Sequence, residues 1–199
     1  QRCSATRILF VQEDVAERTL KLLAGAMDEW VVGDPGLLST DIGPVIDEGA
    51  RKILVDHAER MRREGRLIKA IELGEAHQHG CYFAPHTFEI DSLARLPREV
   101  FGPVLHVIRY KARELDQVIH SINATGYGLT LGIHSRIDST IEYIQQRIRA
   151  GNCYVNRNMI GAVVGVQPFG GEGLSGTGPK AGGPHYLLRF CAEQTLTIN

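Results

Sequence analysis

The alternation of short apolar strands with amphipathic helices constrains the fold of this chain most. Apolar runs with strand character occupy residues 7–11, 66–72, 81–90, 104–110, 129–134 and 152–156. Helical periodicity begins at Asp14 and at Asp47 and recurs over residues 114–123 and 139–148. Neighbouring parallel strands need a crossover, and the intervening helices supply it. The pattern therefore predicts an α/β fold with a largely parallel sheet and flanking helices.

Local signals set the starts and buried faces of the first two helices. Asp14 with Glu17 three residues later has the form of a capping box, and Asp47 follows turn-forming Gly43–Pro44. The predicted inward face of the first helix carries Leu20, Leu23 and Met27. That of the second carries Ile53, Leu54, His57, Ala58 and Met61.

The last quarter of the chain differs in character. Residues 157–184 are expected to form a folded loop, because Gly and Pro crowd the stretch from Gly161 to Pro184 and oppose regular elements. Residues 195–199 are expected to form a terminal edge strand. The whole chain, residues 1–199, is interpreted as one domain.

Charge and cysteine usage exclude several classes of protein. The 22 Lys and Arg side chains nearly balance 23 Asp and Glu, so the net charge of −1 provides no field for nucleic acid or an anionic membrane. No run of about 18 apolar residues suggests a membrane span. Four scattered cysteines without a C-x-x-C pair indicate a reducing compartment, and we expect a cytoplasmic protein.

Two separate segments carry groups suited to chemistry. Cys3 could act as a nucleophile if its surroundings favour the thiolate, although a lone cysteine is usually a small buried hydrophobe. Cys81, Cys153 and Cys191 are interpreted as small buried hydrophobes of this kind. Glu99 and Phe101 lie two residues apart, on the same side of an extended segment. A carboxylate there can accept hydrogen bonds from ribose hydroxyls, and an aromatic ring can pack on nicotinamide. Taken alone, however, the pair is typical of an exposed Glu beside a core Phe.

Three motifs in this order resemble the aldehyde dehydrogenase superfamily over essentially the whole chain. They are Gln-Arg-Cys at 1–3, Glu-Val-Phe-Gly-Pro at 99–103 and Pro-Phe-Gly-Gly at 168–171. The resemblance implies the catalytic domain of an NAD-dependent aldehyde dehydrogenase. It also implies that Cys3 is the nucleophile and that Glu99 and Phe101 hold the nicotinamide riboside of NAD.

A finer resemblance is to the glutamate-semialdehyde (pyrroline-5-carboxylate) dehydrogenases, especially the dehydrogenase part of bifunctional proline utilisation A. It rests on Cys3-Ser4, on residues 158–169 (NMIGAVVGVQPF) and on residues 182–186 (GGPHY). It implies that Ser4 and the backbone amides of Gly161 and Ala162 anchor the substrate α-carboxylate, while Phe169 packs on its methylenes. Some relatives carry Ser in place of Ala162, so only backbone donation is expected there.

The resemblance also implies missing parts. The water-activating glutamate, the oxyanion-hole asparagine and the Rossmann NAD-binding domain would lie upstream, and the chain begins with Gln1 rather than Met. We therefore expect a piece of a longer enzyme that needs this upstream domain as a partner and is nearly inactive alone. If the full-length parent carries a proline dehydrogenase part, that part would hold FAD, and a homo-oligomer is compatible with the resemblance.

Two other motifs are interpreted as structural. Residues 171–176 (GEGLSG) match a dinucleotide fingerprint, but neighbouring Pro168 and Pro179 oppose the strand and helix that this fingerprint requires. His77, His79, Cys81 and His86 lie on one short segment that seldom closes a metal site, so no metal is expected. Two alternative functions stay open: an aldehyde dehydrogenase with another substrate, and a non-catalytic oligomerisation fragment.

Overall fold

The computed structural model describes residues 2–199, which form two compact units. The first unit comprises residues 6–118, and the second comprises residues 2–5 and 119–199. No helix within residues 2–199 is long and apolar enough to cross a membrane. That the two units act as one catalytic domain stays a prediction.

The first unit is built on a four-stranded sheet. Its strands are β1 (Ile8–Gln12), β2 (Arg66–Ala70), β3 (His86–Glu89) and β4 (Val104–Tyr110), in the order β1-β4-β3-β2. Strands β1 and β3 run parallel to the central β4, and β2 pairs antiparallel with β3. The two long helices are α1 (Glu13–Asp28) and α2 (Glu48–Glu64). The predicted α/β class with a largely parallel sheet is confirmed.

The two helices cover opposite faces of this sheet. Side chains alternate along a strand, so β4 presents Val104, His106 and Ile108 to one side and Leu105 and Val107 to the other. The first side packs with Leu54, Ala58 and Met61 of α2. The second packs with Ala16 and Leu20 of α1. A central strand buried on both faces explains the nearly continuous apolar run that the sequence shows there.

Helix α2 begins as predicted and α1 does not. The Asp47 carboxylate accepts from the backbone N–H of Ala50 at 2.7 Å and caps α2. The capping box predicted for Asp14 and Glu17 is wrong, because α1 begins at Glu13 and its N-cap, Gln12, makes no side-chain cap bond. The Glu17 carboxylate instead pairs with Arg109 on β4, at 2.6 Å.

Two further sequence expectations of this unit need correction. Ile53 is exposed, because the buried stripe of α2 runs through Leu54, His57, Ala58 and Met61 and leaves its neighbour outside. The strand expected over 81–90 starts only at His86, since Pro85 has no N–H to offer to a strand partner.

The second unit carries shorter elements. Helix α3 (Leu115–Ala124) leads into it and is followed by β5 (Tyr127–Gly128), β6 (Thr130–Ile133), α4 (Asp138–Gln145), β7 (Asn152–Val155) and β8 (Glu172–Gly173). Strand β6 pairs parallel with β7, and β5 pairs antiparallel with β8. The edge strand expected at 195–199 is not formed: residues 191–199 are exposed and irregular. A strand requires a hydrogen-bonded neighbour, and none is present there among residues 2–199.

Candidate active site

In the first unit, one arginine contacts both residues predicted to hold the cofactor. The Arg7 Nη2 atom lies 2.9 Å from Oε1 of Glu99, and its Cζ lies 4.6 Å from the centroid of the Phe101 ring. The Glu99 side chain is 42% exposed and Phe101 is 47% exposed. The interpretation of Phe101 as a core residue is therefore wrong, and both groups are accessible.

Close packing behind these two residues fixes their segment. The carbonyl of Pro103 accepts from the His86 N–H at 3.0 Å, so the segment enters the sheet directly beyond Gly102. A Cβ atom at Gly102 would lie 2.5 Å from both δ carbons of the fully buried Leu54. Only glycine lets the segment lie this close to α2, which explains the Gly between Phe101 and Pro103.

The Arg7 backbone is held by a buried histidine pair. The Arg7 carbonyl accepts from the His106 N–H at 3.0 Å and lies 3.2 Å from His106 Nδ1. His106 Nε2 in turn lies 2.8 Å from Nε2 of His57, whose Nδ1 lies 3.4 Å from Arg60. Because a carbonyl only accepts, we assign a proton to His106 Nδ1, so that Nε2 of His57 donates to Nε2 of His106.

This relay requires both imidazoles to be neutral. Burial, the neighbouring His106 and the Arg60 cation lower the pKa of His57 to about 4. Burial, reinforced by Arg60, likewise lowers the pKa of His106 to about 4. The pair is therefore uncharged near neutral pH, and it fixes the backbone from which the Arg7 side chain projects.

The pair of Glu99 and Phe101 fits a nicotinamide riboside. A carboxylate has two oxygens with about four acceptor sites in total, so the single ion pair with Arg7 leaves acceptors for ribose hydroxyls. The cation covers part of Phe101, and nearly half of that residue remains available to a planar ring. The residues present thus match the chemistry of the group that they are expected to hold.

In the second unit, the cysteine segment forms a tight turn. The Ala5 N–H donates to the Arg2 carbonyl at 3.0 Å, with Cys3 and Ser4 between them. Cys3 is exposed, while Ser4 is only 5% exposed. Gln1 lies outside the described residues. A thiol on a short turn is open to an incoming electrophile.

The other three cysteines differ from one another. Cys81 packs against the core of the first unit. Cys153 lies partly buried in β7, where burial raises the pKa of its thiol. The buried placement expected for Cys191 is wrong: it is exposed, and its Sγ contacts the Leu187 carbonyl at 3.4 Å. Cys3 and Cys191 are thus the two exposed thiols of the described chain.

The glycine-rich loop offers two open backbone donors at the predicted carboxylate anchor. Gly161 adopts a φ of 79°, a conformation that side-chain-bearing residues rarely take. Within residues 2–199, no protein acceptor bonds to the backbone N–H of Gly161 or Ala162. Successive N–H groups without protein partners suit an anion such as a carboxylate.

Phe169 is held because its own backbone and the backbones of Pro168 and Gly170 form hydrogen bonds with other segments of the loop and with β7. Its backbone N–H and carbonyl bond to Ala181 at 3.0 and 2.9 Å. The Asn152 side chain donates to the Pro168 carbonyl at 3.0 Å and accepts from the Gly170 N–H at 3.2 Å. The Lys180 ammonium donates to the Gly170 carbonyl at 2.9 Å. The loop that carries Phe169 is therefore a braced structure.

Sequence reasoning missed Arg7, Asn152 and Lys180. Each acts on a segment far away in the chain, where no spacing rule applies. The only sequence signals are a cation in an otherwise apolar strand start and a lysine inside a loop of small residues.

The residues of the two motifs set aside have structural contacts. Within residues 171–176, β8 pairs with β5, and residues 174–186 form no helix that could complete a dinucleotide site. His77 Nε2 lies 2.8 Å from the Val32 carbonyl. His86 is stacked between Phe83 and Phe88, with ring centroids 5.1 and 5.5 Å away.

Comparison with known proteins yields one consistent family. The sequence profile of the aldehyde dehydrogenase family matches residues 1–196. The Bifunctional protein PutA of Klebsiella aerogenes is 55% identical over 199 residues, which cover 98% of this chain and 15% of that protein. The 1-pyrroline-5-carboxylate dehydrogenase of Geobacillus kaustophilus is 38% identical over 99% of this chain and 38% of its own length.

Solved structures agree with these sequence matches. A crystal structure of a Bradyrhizobium japonicum proline utilization A variant superimposes with a TM-score of 0.94 at 60% identity, covering 100% of this chain and 20% of that one. A Thermus thermophilus 1-pyrroline-5-carboxylate dehydrogenase variant gives a TM-score of 0.86 at 36% identity over 96% of this chain and 36% of that one. The chain therefore spans between about a seventh and two fifths of the length of these relatives.

Proposed function

The chain belongs to the aldehyde dehydrogenase family, and from that premise we propose that it supplies the nucleophile and part of the NAD site of a glutamate-semialdehyde dehydrogenase. The enzyme would oxidise L-glutamate γ-semialdehyde, formed from pyrroline-5-carboxylate, to L-glutamate in proline catabolism. The observation that carries the proposal is the accessible pair of Glu99 and Phe101, held by Arg7 in a geometry suited to nicotinamide riboside. A relative named 1-pyrroline-5-carboxylate dehydrogenase matches 99% of the chain.

Cys3 carries the covalent chemistry in this proposal. Its thiolate attacks the aldehyde carbon, and the Cys3 backbone N–H with a donor outside this chain stabilises the oxyanion. Bound NAD supplies the hydride acceptor. The carbon then forms a thioester with Cys3, and water activated by a glutamate outside this chain hydrolyses it. Aldehyde, NAD⁺ and water thus yield carboxylic acid, NADH and a proton, with the thiol regenerated.

The loop of the second unit would select the substrate. The N–H groups of Gly161 and Ala162, together with Ser4, are proposed to bind the α-carboxylate of glutamate semialdehyde. Phe169 would pack on the methylenes between that carboxylate and the aldehyde. The open donors at Gly161 and Ala162 and the braced position of Phe169 support this assignment.

The chain would work within a longer enzyme. We propose that an NAD-binding Rossmann domain is its essential partner, and the small share of the relatives that the chain covers is consistent with a longer enzyme. In a bifunctional parent, FAD would belong to a separate proline dehydrogenase part. We further propose that the enzyme is cytoplasmic, which is consistent with its four free cysteines. We also propose that it forms a homo-oligomer.

Two cysteine variants test the proposal in the full-length enzyme. Cys3→Ser should lower the rate of NADH formation from glutamate semialdehyde by about a thousandfold or more, because the hydroxyl is a far weaker nucleophile at neutral pH. Cys191→Ser, which changes the other exposed thiol, should leave the rate unchanged. Equal rates for wild type and Cys3→Ser would contradict the assigned nucleophile.

A second substrate separates this enzyme from a general aldehyde dehydrogenase. An aliphatic aldehyde of equal chain length without the α-carboxylate should show a much lower kcat/KM, because the open N–H donors would then bind no anion. Equal kcat/KM for both aldehydes would contradict the proposed substrate and would support the alternative of another aldehyde.

The non-catalytic alternative rests on the exposed apolar side chains near the C-terminus, Leu187, Leu188, Phe190, Leu196 and Ile198. Thiol labelling near neutral pH discriminates it from the enzyme. Faster labelling of Cys3 than of Cys191 in the full-length protein supports a catalytic site, and equal labelling with no NADH formation supports an oligomerisation fragment.

A further inference from the structure

We propose that Arg7 is a positioning residue for cofactor binding: it holds Glu99 and Phe101 together in the arrangement that receives the nicotinamide riboside. The inference rests on the proposed function, since it presumes that NAD binds at these two residues. It adds a residue that acts through its contacts with Glu99 and Phe101.

The Arg7 guanidinium combines two contacts that other side chains could not both make. It forms an ion pair with Oε1 of Glu99 at 2.9 Å and lies 4.6 Å from the Phe101 ring centroid. A planar, delocalised cation can donate to a carboxylate in its plane while stacking on an aromatic face. A lysine ammonium could pair with the carboxylate but could not stack in this way.

The position of Arg7 is itself secured. Its carbonyl accepts from the backbone and the Nδ1 of His106, and its side chain is only 17% exposed. In contrast, Glu99 and Phe101 are each more than two fifths exposed. The two exposed partners are thus tethered to a side chain that is mostly covered, which is the order expected of a preorganising group.

Preorganisation predicts an effect on cofactor affinity. Without Arg7, two side chains that rotate freely would have to be ordered when NAD binds, and that entropy cost would weaken binding. With Arg7 present, the two side chains are already ordered in the folded enzyme before NAD binds. The aldehyde and its carboxylate are proposed to contact other residues, so the binding of aldehyde should change little.

The test uses Arg7→Gln and Arg7→Lys in the full-length enzyme, with Arg109→Gln as the matched control. Arg109 is 22% exposed and pairs with Glu17 and Glu89 at 2.6 and 2.9 Å in the same unit. Its loss removes at least as much ionic contact as the loss of Arg7, without touching Glu99 or Phe101. Titration calorimetry gives the Kd for NAD⁺, steady-state kinetics give both KM values, and thermal unfolding gives Tm.

We expect Arg7→Gln to raise the Kd and KM for NAD⁺ about tenfold, Arg7→Lys to raise them less, and the KM for aldehyde to change less than about twofold. Arg109→Gln should lower Tm without changing the Kd for NAD⁺. The inference is overturned if Arg7→Gln binds NAD⁺ as wild type does, or if Arg109→Gln weakens NAD⁺ binding equally.

These outcomes separate the inference from the proposed function. Wild-type enzyme that binds no NAD⁺ contradicts both. Wild-type enzyme that binds NAD⁺, is weakened by Arg7→Gln and does not oxidise glutamate semialdehyde contradicts the proposed substrate and supports the role of Arg7.

Discussion

Lys180 shows how one side chain can organise a loop made mostly of small residues. An ammonium group has three donors, and here they meet the carbonyls of Gly151 and Gly170 and the Oδ1 of Asn152. All three donors of the ammonium group therefore have acceptors within the protein. This arrangement assigns Lys180 to the support of Phe169 and its neighbours, and not to the binding of a phosphate.

Replacing Lys180 tests that support. Lys180→Met keeps much of the side-chain volume and leaves partly buried carbonyls without a donor, so the free energy of unfolding of the chain should fall by about 1–3 kcal/mol. In the full-length enzyme, the KM for glutamate semialdehyde should rise because Phe169 is less well held. Urea unfolding and steady-state kinetics measure the two effects.

Lys52→Met is the matched control for this change. Lys52 forms an exposed ion pair with Asp56 on α2, and such exposed pairs contribute little to stability because water and salt screen them. Equal destabilisation by both substitutions would show that the loop does not depend on Lys180.

At the level of elements, the central strand β4 ties the site to the core. Its first residue directly follows the segment that carries Glu99 and Phe101, and its two faces pack against α1 and α2. The contact between Gly102 and Leu54 is where that segment meets α2. The position of Glu99 and Phe101 therefore depends on the packing of a helix that carries none of the candidate site residues.

Two glycine substitutions with opposite expected signs test this contact. Gly102→Ala places a methyl 2.5 Å from buried Leu54 and should lower the free energy of unfolding by about 1–3 kcal/mol. Gly25→Ala lies within α1 with no atom within 4 Å and should raise it by about 0.5–1 kcal/mol. Urea unfolding measures both. A neutral Gly102→Ala variant would contradict the close approach.

The buried histidine pair between α2 and β4 predicts acid sensitivity. The pKa values of His57 and His106 are lowered to about 4 in the fold, against an unfolded value of about 6.5. Burial lowers the pKa of each imidazole in the folded protein. The unfolded chain therefore binds these protons more tightly than the folded protein does. The contribution of this pair to the free energy of unfolding is therefore fully present above about pH 6.5 and is lost as the pH falls towards about 4.

Denaturant unfolding at several pH values measures this loss, which should be on the order of 3 kcal/mol between these limits. His57→Gln should flatten the profile, because the amide can still donate to His106 and does not titrate. His185→Gln, at an exposed position, should leave the profile unchanged. The carboxylates that also titrate in this range are common to all three proteins, and an unchanged slope in His57→Gln would contradict the assignment.

At the scale of the whole molecule, the chain is proposed to hold part of a catalytic apparatus. It presents the exposed thiol of Cys3, the accessible side chains of Glu99 and Phe101, and the open N–H donors of Gly161 and Ala162. The matching segment makes up 15% of the PutA protein of Klebsiella aerogenes and 38% of the 1-pyrroline-5-carboxylate dehydrogenase of Geobacillus kaustophilus. The groups proposed to complete the oxyanion hole, activate water and bind adenosine belong to other segments.

The isolated 199-residue chain should therefore form NADH from glutamate semialdehyde at a rate near background. A polypeptide that carries this chain in place of the matching segment of the Klebsiella aerogenes PutA protein should be active, because it regains those groups. Robust turnover by the isolated chain would show that it contains a complete site. An inactive chimera that folds and binds NAD⁺ would contradict the assigned catalytic role.

The sequence alone determined what depends on neighbouring residues. The apolar periodicity predicted the α/β class, the Asp47 cap predicted the start of α2, and three short motifs indicated the family and its candidate residues. Each of these signals acts over a few positions, where backbone geometry sets which side chains share a face. The same local reasoning misplaced Ile53 and the start of α1, because their environment depends on distant parts of the chain.

Tertiary structure alone decided which distant groups meet. The contacts of Arg7 with Glu99 and Phe101, of His57 with His106, and of Lys180 with Gly151 join segments that are far apart in the chain. A single polar or charged residue at each position leaves no periodic trace, so the pairing emerges only when the sheet and loops are packed. That packing gives each of these side chains its partners within its own unit, since buried polar groups require specific partners.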